Sequence, residues 1–319
     1  MSETIIRKPN ARLAILLSLT LLGLLLLMWV LLSVFTRTFA TENNFINLMR
    51  QASVLAIIAI GQTFVIITAG IDLSIGAVVG FSGVIVALLL QSGLPIWLAV
   101  LLTLGMGALI GAFHGFGVTR LGLPPFIMTL ATLTALTGIG LLITNGASIS
   151  GLPDGFTNFS RDVFLGVPTL FWMVVVVAVP AYVFLQHSRW GRYLFAIGSN
   201  PEAARLTGVN VQGMLYVAYI LSAVLAAFAG VLTTMRIGIG NATTGQGYEL
   251  QSIASSVIGG TSLFGAIGSI QGPLLGSFLL TTINNGANLL NVNAFWQRVV
   301  TGGLIIAVVY FDGLRRRRR

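Results

Sequence analysis

Apolar stretches of roughly twenty residues recur along the chain, separated by short polar clusters, and this pattern predicts about ten membrane-spanning helices. They fall near residues 13–36, 46–69, 74–91, 95–118, 124–145, 167–187, 213–235, 250–267, 270–290 and 295–312. Two divisions are faint. Ala69-Gly70-Ile71-Asp72-Leu73-Ser74 interrupts one long apolar region, and residues 266–269 interrupt another. Either fits a broken or re-entrant helix as well as two complete spans.

Composition agrees with the pattern: 56% of residues are hydrophobic and 8% are charged, the profile of an all-α polytopic membrane protein. The first apolar run, 13–35, is too long for a signal-peptide core and no small-residue cleavage site follows it. The chain has no cysteine, which excludes disulfides and thiolate chemistry. Its net charge of +9 is concentrated at the ends: Arg7, Lys8 and Arg12 in front, Arg315–Arg319 behind. Such tails fix orientation and do not imply nucleic-acid binding. The expected organisation is a cytoplasmic tail 1–12, one transmembrane domain 13–312 and a basic cytoplasmic tail 313–319. Two inside tails require an even number of spans. Ten spans divide as five plus five, and an odd half would be inverted relative to its mate, a common transporter construction. Residues 70–76 loosely echo 260–265.

The most polar interior segment, 187–212, lies among the expected cytoplasmic loops and carries a bounded short helix. Asn200 suits the N-cap, Pro201 the first helical position and Glu202 the positive end of the helix dipole. Ala203, Ala204, Arg205 and Leu206 propagate it, Thr207 follows, and Gly208 is a left-handed stop. A capped helix in a loop reads as a docking surface; the plain alternative is an ordinary helical loop.

Glycines recur every four residues at Gly107, Gly111 and Gly115, at Gly268, Gly272 and Gly276, and at Gly76 and Gly80. Each set predicts a smooth ridge for close helix packing within the chain. Lys8 is the only lysine, so no Walker A loop exists and any ATP-driven step needs another polypeptide. Asp72 is the one carboxylate flanked by long apolar runs, and with Gly70 and Ser74 it fits a cap or gate at a helix break; a proton or sodium relay is the alternative. Glu249 and Arg236 bracket a segment expected to be an exposed external loop. Gly80-Phe81-Ser82-Gly83 with His114 resembles an intramembrane serine-protease pair, but the other motifs of such enzymes are missing. Candidate pathway residues are Gln62 and Thr68 in the second span, and Asn284, Asn288 and Asn291 on one face of the ninth, with Asn285 beside them. Amides and hydroxyls suit an uncharged, hydroxyl-rich solute, and equally suit hydrogen bonding between helices.

Several blocks, in order, resemble the ribose-type sugar permeases of bacterial ATP-binding cassette (ABC) importers. They are Gly61-Gln62-Thr63 with 67–76, then 122–130, 191–208, 254–276, Asn284-Asn285-Gly286 and Phe295-Trp296-Gln297. The resemblance implies a non-enzymatic transport subunit in the bacterial inner membrane, with both termini cytoplasmic. It implies a monosaccharide or polyol substrate delivered by a periplasmic sugar-binding protein. A cytoplasmic ATPase with two nucleotide-binding modules would bind ATP and Mg, and a second permease copy would complete a dimer. Residues 200–208 would be the coupling helix, and Gly70–Ser74 the helix break. One departure is Gly265-Ala266-Ile267-Gly268, where relatives often carry a more polar, basic turn. An ATP-independent carrier or channel using Asp72 is the alternative reading.

Overall fold

A computed structural model describes residues 11–317. The basic tail residues Arg7, Lys8, Arg318 and Arg319 lie outside them. In chain order the helices are α1 (Ala11–Phe35), α2 (Glu42–Ile67), α3 (Ile75–Gln91), α4 (Ile96–Thr119), α5 (Pro125–Thr144), α6 (Asp154–Asn158), α7 (Thr169–Tyr182), α8 (Arg189–Ser199), α9 (Pro201–Leu206), α10 (Val211–Ile237), α11 (Tyr248–Ile258), α12 (Gln271–Leu289) and α13 (Ala294–Arg317). The described strands form one two-residue hairpin, β1 (Val163–Phe164) and β2 (Val167–Pro168). The protein is a polytopic all-α membrane protein, and among the described residues six helices are long and apolar enough to cross a bilayer.

Local chemistry sets the boundaries. Thr41 caps α2 through Asn44 N, and Asn210 caps α10 through Gly213 N at 2.9 Å. The Pro124-Pro125 pair starts α5, and Asn145 ends it in the left-handed conformation. Pro180 removes a donor inside α7, and the helix loosens into a π-turn at Val183–His187.

α2 and α10 form the centre. α10 packs on α2, α3 and α4, while α2 also packs on α7, α11 and α12. The Gly107–Gly111–Gly115 ridge faces α10 as expected: a Cβ at Gly111 would sit 2.5 Å from the Ile220 Cα. Gly272 and Gly276 likewise admit the backbone of Gly259 and Ser255. Gly268 does not join them, because it lies in a loop against the Ile67 side chain.

Four other expectations need correction. The window 250–267 is not a full span: α11 has 11 residues and rises about 17 Å, roughly half of the hydrocarbon core, and residues 259–270 form a loop. Gly76 and Gly80 do not meet a helix. They meet the turns of 242–247, since a Cβ at either would strike carbonyls of Gly245 or Ala242. The segment between Arg236 and Glu249 is therefore no external loop. From its contact with Ile149, where Ile149 and Gly240 exchange backbone hydrogen bonds, it runs along the glycine face of α3 to the start of α11. The echo between 70–76 and 260–265 is also not positional: the first leads into α3, while the second follows α11.

Candidate functional site

The first irregular stretch, 68–74, separates α2 from α3. Asp72 is fully buried there. Its Oδ1 accepts from Ser74 N at 3.0 Å and Ser74 Oγ at 2.6 Å, and its Oδ2 accepts from Ser222 Oγ of α10 at 2.8 Å. The carboxylate thus caps the start of α3 and ties the break to α10. Thr129 of α5 bridges the same backbone, accepting from Leu73 N and donating to Ile71 O. Ala69 has φ 61°, the left-handed turn that reverses the chain. Thr68 is buried and donates to Val65 O. Gln62 lies deeper in α2, fully buried, with neither amide atom partnered among the described residues.

The loop 187–212 holds two helices, of which only α9 was expected. α8 is capped by Ser188 Oγ on Gly191 N, and it buries Gly191, Leu194 and Ile197 at three-residue spacing. Asn200 Oδ1 accepts from Glu202 N and Ala203 N, both at 3.0 Å. Gly208 closes the helix with φ 84°. On the outer face Arg205 binds Glu202 through both carboxylate oxygens, at 2.5 and 3.1 Å. That hydrogen bond holds the Glu202 carboxyl below its usual range and Arg205 above its own. Ala204 faces inward and is buried, whereas Leu206 is 78% exposed.

These parts meet at one junction. Gly198 of α8 lies against the Ile67 carbonyl, where a Cβ would collide, and Ala266 N donates to that same carbonyl at 2.9 Å. The turn 265–268 is wedged between α2 and α8 by backbone contacts, which accounts for its small apolar residues. Asp312 of α13 accepts from Ser262 Oγ and Leu263 N and anchors the loop from the other side. A cavity of 170 Å³ lies in the same junction, lined by Thr68, Gly70, Gly198, Pro201 and Tyr219 among others. α8 therefore bears on the end of α2 and on the loop after α11, and α9 follows directly from it at Asn200.

The asparagine face is only partly realised. Asn284 is half-buried on α12; Asn288 is exposed and accepts from Gln297; Asn291 lies beyond the helix end at φ 55°. The buried member is Asn285, in a reciprocal amide pair with Asn44 at 2.8 and 3.2 Å. His114 is fully buried, with neither ring nitrogen partnered among the described residues, beside Tyr219 at 6.0 Å between ring centroids.

The family model described as branched-chain amino acid transport system / permease component matches residues 44–309. The chain belongs to this permease family. It is similar to the ribose import permease protein RbsC of Escherichia coli strain K12, 38% identical over 92% of each chain. RbsC of Bacillus subtilis strain 168 is 41% identical over 91% of each, and the D-allose transport system permease protein AlsC of E. coli K12 is 39% identical over 86% and 85%. No solved structure matches. The resemblance drawn from the motif blocks holds: the chain is a transport component of an ABC importer, an inner-membrane multi-pass permease and not an enzyme. A permease of this kind works with an ATPase and a substrate-binding protein.

Proposed function

We propose that the chain forms the membrane path of a ribose-type importer for a monosaccharide or polyol and couples it to a separate ATPase by alternating access. The observation that carries this reading is the seating of α9: a capped helix, exposed on one side, packed by its other side where the break after α2 meets α8. Motion imposed on Asn200–Gly208 reaches the break at Gly70, Asp72 and Ser74 through Gly198, with no intervening flexible linker. ATP and Mg belong to the partner ATPase, whose two nucleotide-binding modules would close and open beneath two permease copies. The relatives named for ribose and allose support the substrate class.

The same reading includes ten crossings in two inverted halves, one of them made by the irregular segment 238–247 continued by the half-length α11, with both termini inside and 13–312 as one domain. Its support is the packing pattern. α3 and α4 lean on α10 as α11 and α12 lean on α2, and the α3–α5 contact is matched by α11–α13. The counterpart of the 68–74 break is then 238–247. Asp72 serves here as a cap, since both its oxygens are committed to serines and backbone. That disfavours the carrier reading, in which it would exchange a proton or sodium ion.

The test is purification of tagged protein from its native membrane, followed by uptake of labelled D-ribose and D-allose in reconstituted vesicles. A copurifying two-module ATPase and ATP-dependent uptake are expected. Arg205→Glu with Leu206→Asp, both on the exposed face, should cut uptake at least about tenfold while leaving insertion intact. Uptake that needs no ATP and survives those changes would sink the proposal and turn attention to Asp72.

A further inference from the structure

A second cavity, of 220 Å³, is not explained by coupling. It lies between α3, α5 and the segment 238–247, and its wall includes Gly76, Leu133, Thr134, Thr137, Gln246 and Glu249. Its depth follows from α5: Thr134 and Thr137 stand roughly 14 and 18 Å along a helix of 20 residues, near the middle of a crossing. Two features there are costly in hydrocarbon. The backbone 238–247 is irregular, and such backbone is tolerated at that depth only inside protein or beside water. Glu249 is an ionisable side chain for which the described residues supply no cation; its Oε1 accepts from Gly247 N at 3.0 Å and its Oε2 rests on Gly76. Thr134 and Gln246 are exposed on this face. The face is therefore turned to water or to protein and away from lipid.

The donor and acceptor balance indicates the occupant. Thr134 and Thr137 spend their hydroxyl protons on the carbonyls of Leu130 and Leu133, so toward the cavity they offer only lone pairs. Glu249 adds carboxylate lone pairs, and the Gln246 amide adds one acceptor and two donor positions. An acceptor-rich wall is complementary to a solute rich in O–H donors. Among the described residues no group of three or more His, Cys, Asp or Glu side chains could hold a metal ion. We propose that this cavity is a sugar-binding step of the transport path, with Glu249 and Gln246 taking hydrogen bonds from neighbouring hydroxyls of a neutral sugar and the two threonines accepting from its far side. The proposal rests on the permease reading and adds residues to it.

The absence of native cysteine allows a direct test. Thr134→Cys, Gln246→Cys and, as the control, Val176→Cys, which is exposed on α7, would each be made in the full chain and treated in membranes with a charged thiol reagent. The first two should react at least about tenfold faster than the control, because charged reagents do not enter hydrocarbon. Their labelling should slow during turnover with D-ribose or D-allose, and Glu249→Gln, nearly isosteric, should lower sugar uptake about tenfold. Equal, slow labelling at all three positions would overturn the aqueous cavity. Labelling slowed by sodium and indifferent to sugar, or unchanged uptake in Glu249→Gln, would overturn the sugar step. If the parent chain shows no ATP-dependent sugar uptake while the labelling contrast remains, the permease reading is what has failed.

Discussion

Two stretches of non-helical backbone, 68–74 and 238–247, lie among the packed spans, and they solve the same problem in opposite ways. Buried N–H and C=O groups without water must find partners. At 68–74 side chains supply them: Asp72 and Thr129 bind the backbone directly, and the junction with α8 and residues 265–268 seals it. At 238–247 the neighbour has been stripped of side chains, so that the chain can lie on Gly76, Gly80 and Gly83 of α3. The first solution makes a braced joint on which an outside force can act. The second makes a wall with one open side, where Glu249 and Gln246 face a cavity.

The sharpest way to break the comparison is to fill the joint. Gly198→Val would drive a side chain into the Ile67 carbonyl and the Ala266 amide, both of them backbone. Overpacking normally costs about 1–3 kcal/mol, and a clash with fixed backbone lies at or beyond the top of that range. We expect little monodisperse protein on size-exclusion chromatography and no uptake. Gly138→Ala, with nothing within 4 Å of the added carbon, should be indistinguishable from the parent. Equal behaviour of the two variants would remove the argument that α8 bears on the break.

Asp72→Ala comes next. It leaves Ser222 and the Ser74 amide without their charged acceptor, a loss of about 3 kcal/mol. The melting temperature in detergent should fall clearly, and Ser222→Ala added to it should cost little more, because the partner is already lost. Additive effects would mean that the two groups do not act together.

Gly76→Ala probes the wall. Its methyl would meet the Gly245 carbonyl and the Glu249 carboxylate, and the latter is the flexible end of a side chain. A loss of about 2–3 kcal/mol is expected, toward the top of the overpacking range, because the Gly245 carbonyl is backbone even though the carboxylate can move aside. Faster labelling of Gln246→Cys in the Gly76→Ala background should accompany it as the segment lifts. If stability and labelling are both unchanged, the segment is not held by the glycine face.

How much of this was legible depended on whether a feature is local. Asn200, Pro201, Glu202 and Gly208 act on atoms within a few residues of themselves, and the helix they bound was read correctly, as was the Gly107–Gly115 ridge. The break at Asp72 was visible because a carboxylate in an apolar run has few local explanations. The half-length of α11 was not. Val257, Ile258, Leu263 and Phe264 keep hydropathy high through 259–265, and only packing against Ile67 and Gly198 shows that this stretch is a turn. Asn291 follows the helical period of Asn284 and Asn288, yet the helix ends before it. Tyr219, Ser222 and Gly198 gained their places from Gly70, Asp72, Ile67 and Ala266, 68 to 150 residues away in sequence, which periodicity does not record. Ser188, an N-cap followed by the 191, 194, 197 spacing, was the available signal for α8.

The smallest effect concerns the far end of the braced joint, the Glu202–Arg205 pair on α9. Both groups are fully exposed, so the pair adds little stability at any pH. Its sign is nevertheless fixed. The Glu202 carboxyl is held below its ordinary value by the Arg205 hydrogen bond, so its contribution is present above that ordinary value and is lost as pH falls through the lowered one. Arg205 is held above its own value, so its contribution persists until strongly alkaline pH. Between about pH 5 and pH 9 nothing in the pair titrates. Hydrogen-exchange protection of the Thr207 amide, which closes the helix on Ala203, should therefore be flat over that window once intrinsic exchange is corrected, and should weaken slightly toward pH 3. Glu202→Gln should start at the weaker level and show no acid step. A step near neutral pH in either protein would mean that a group outside α9 controls the helix, and the coupling surface would have to be redrawn around that group.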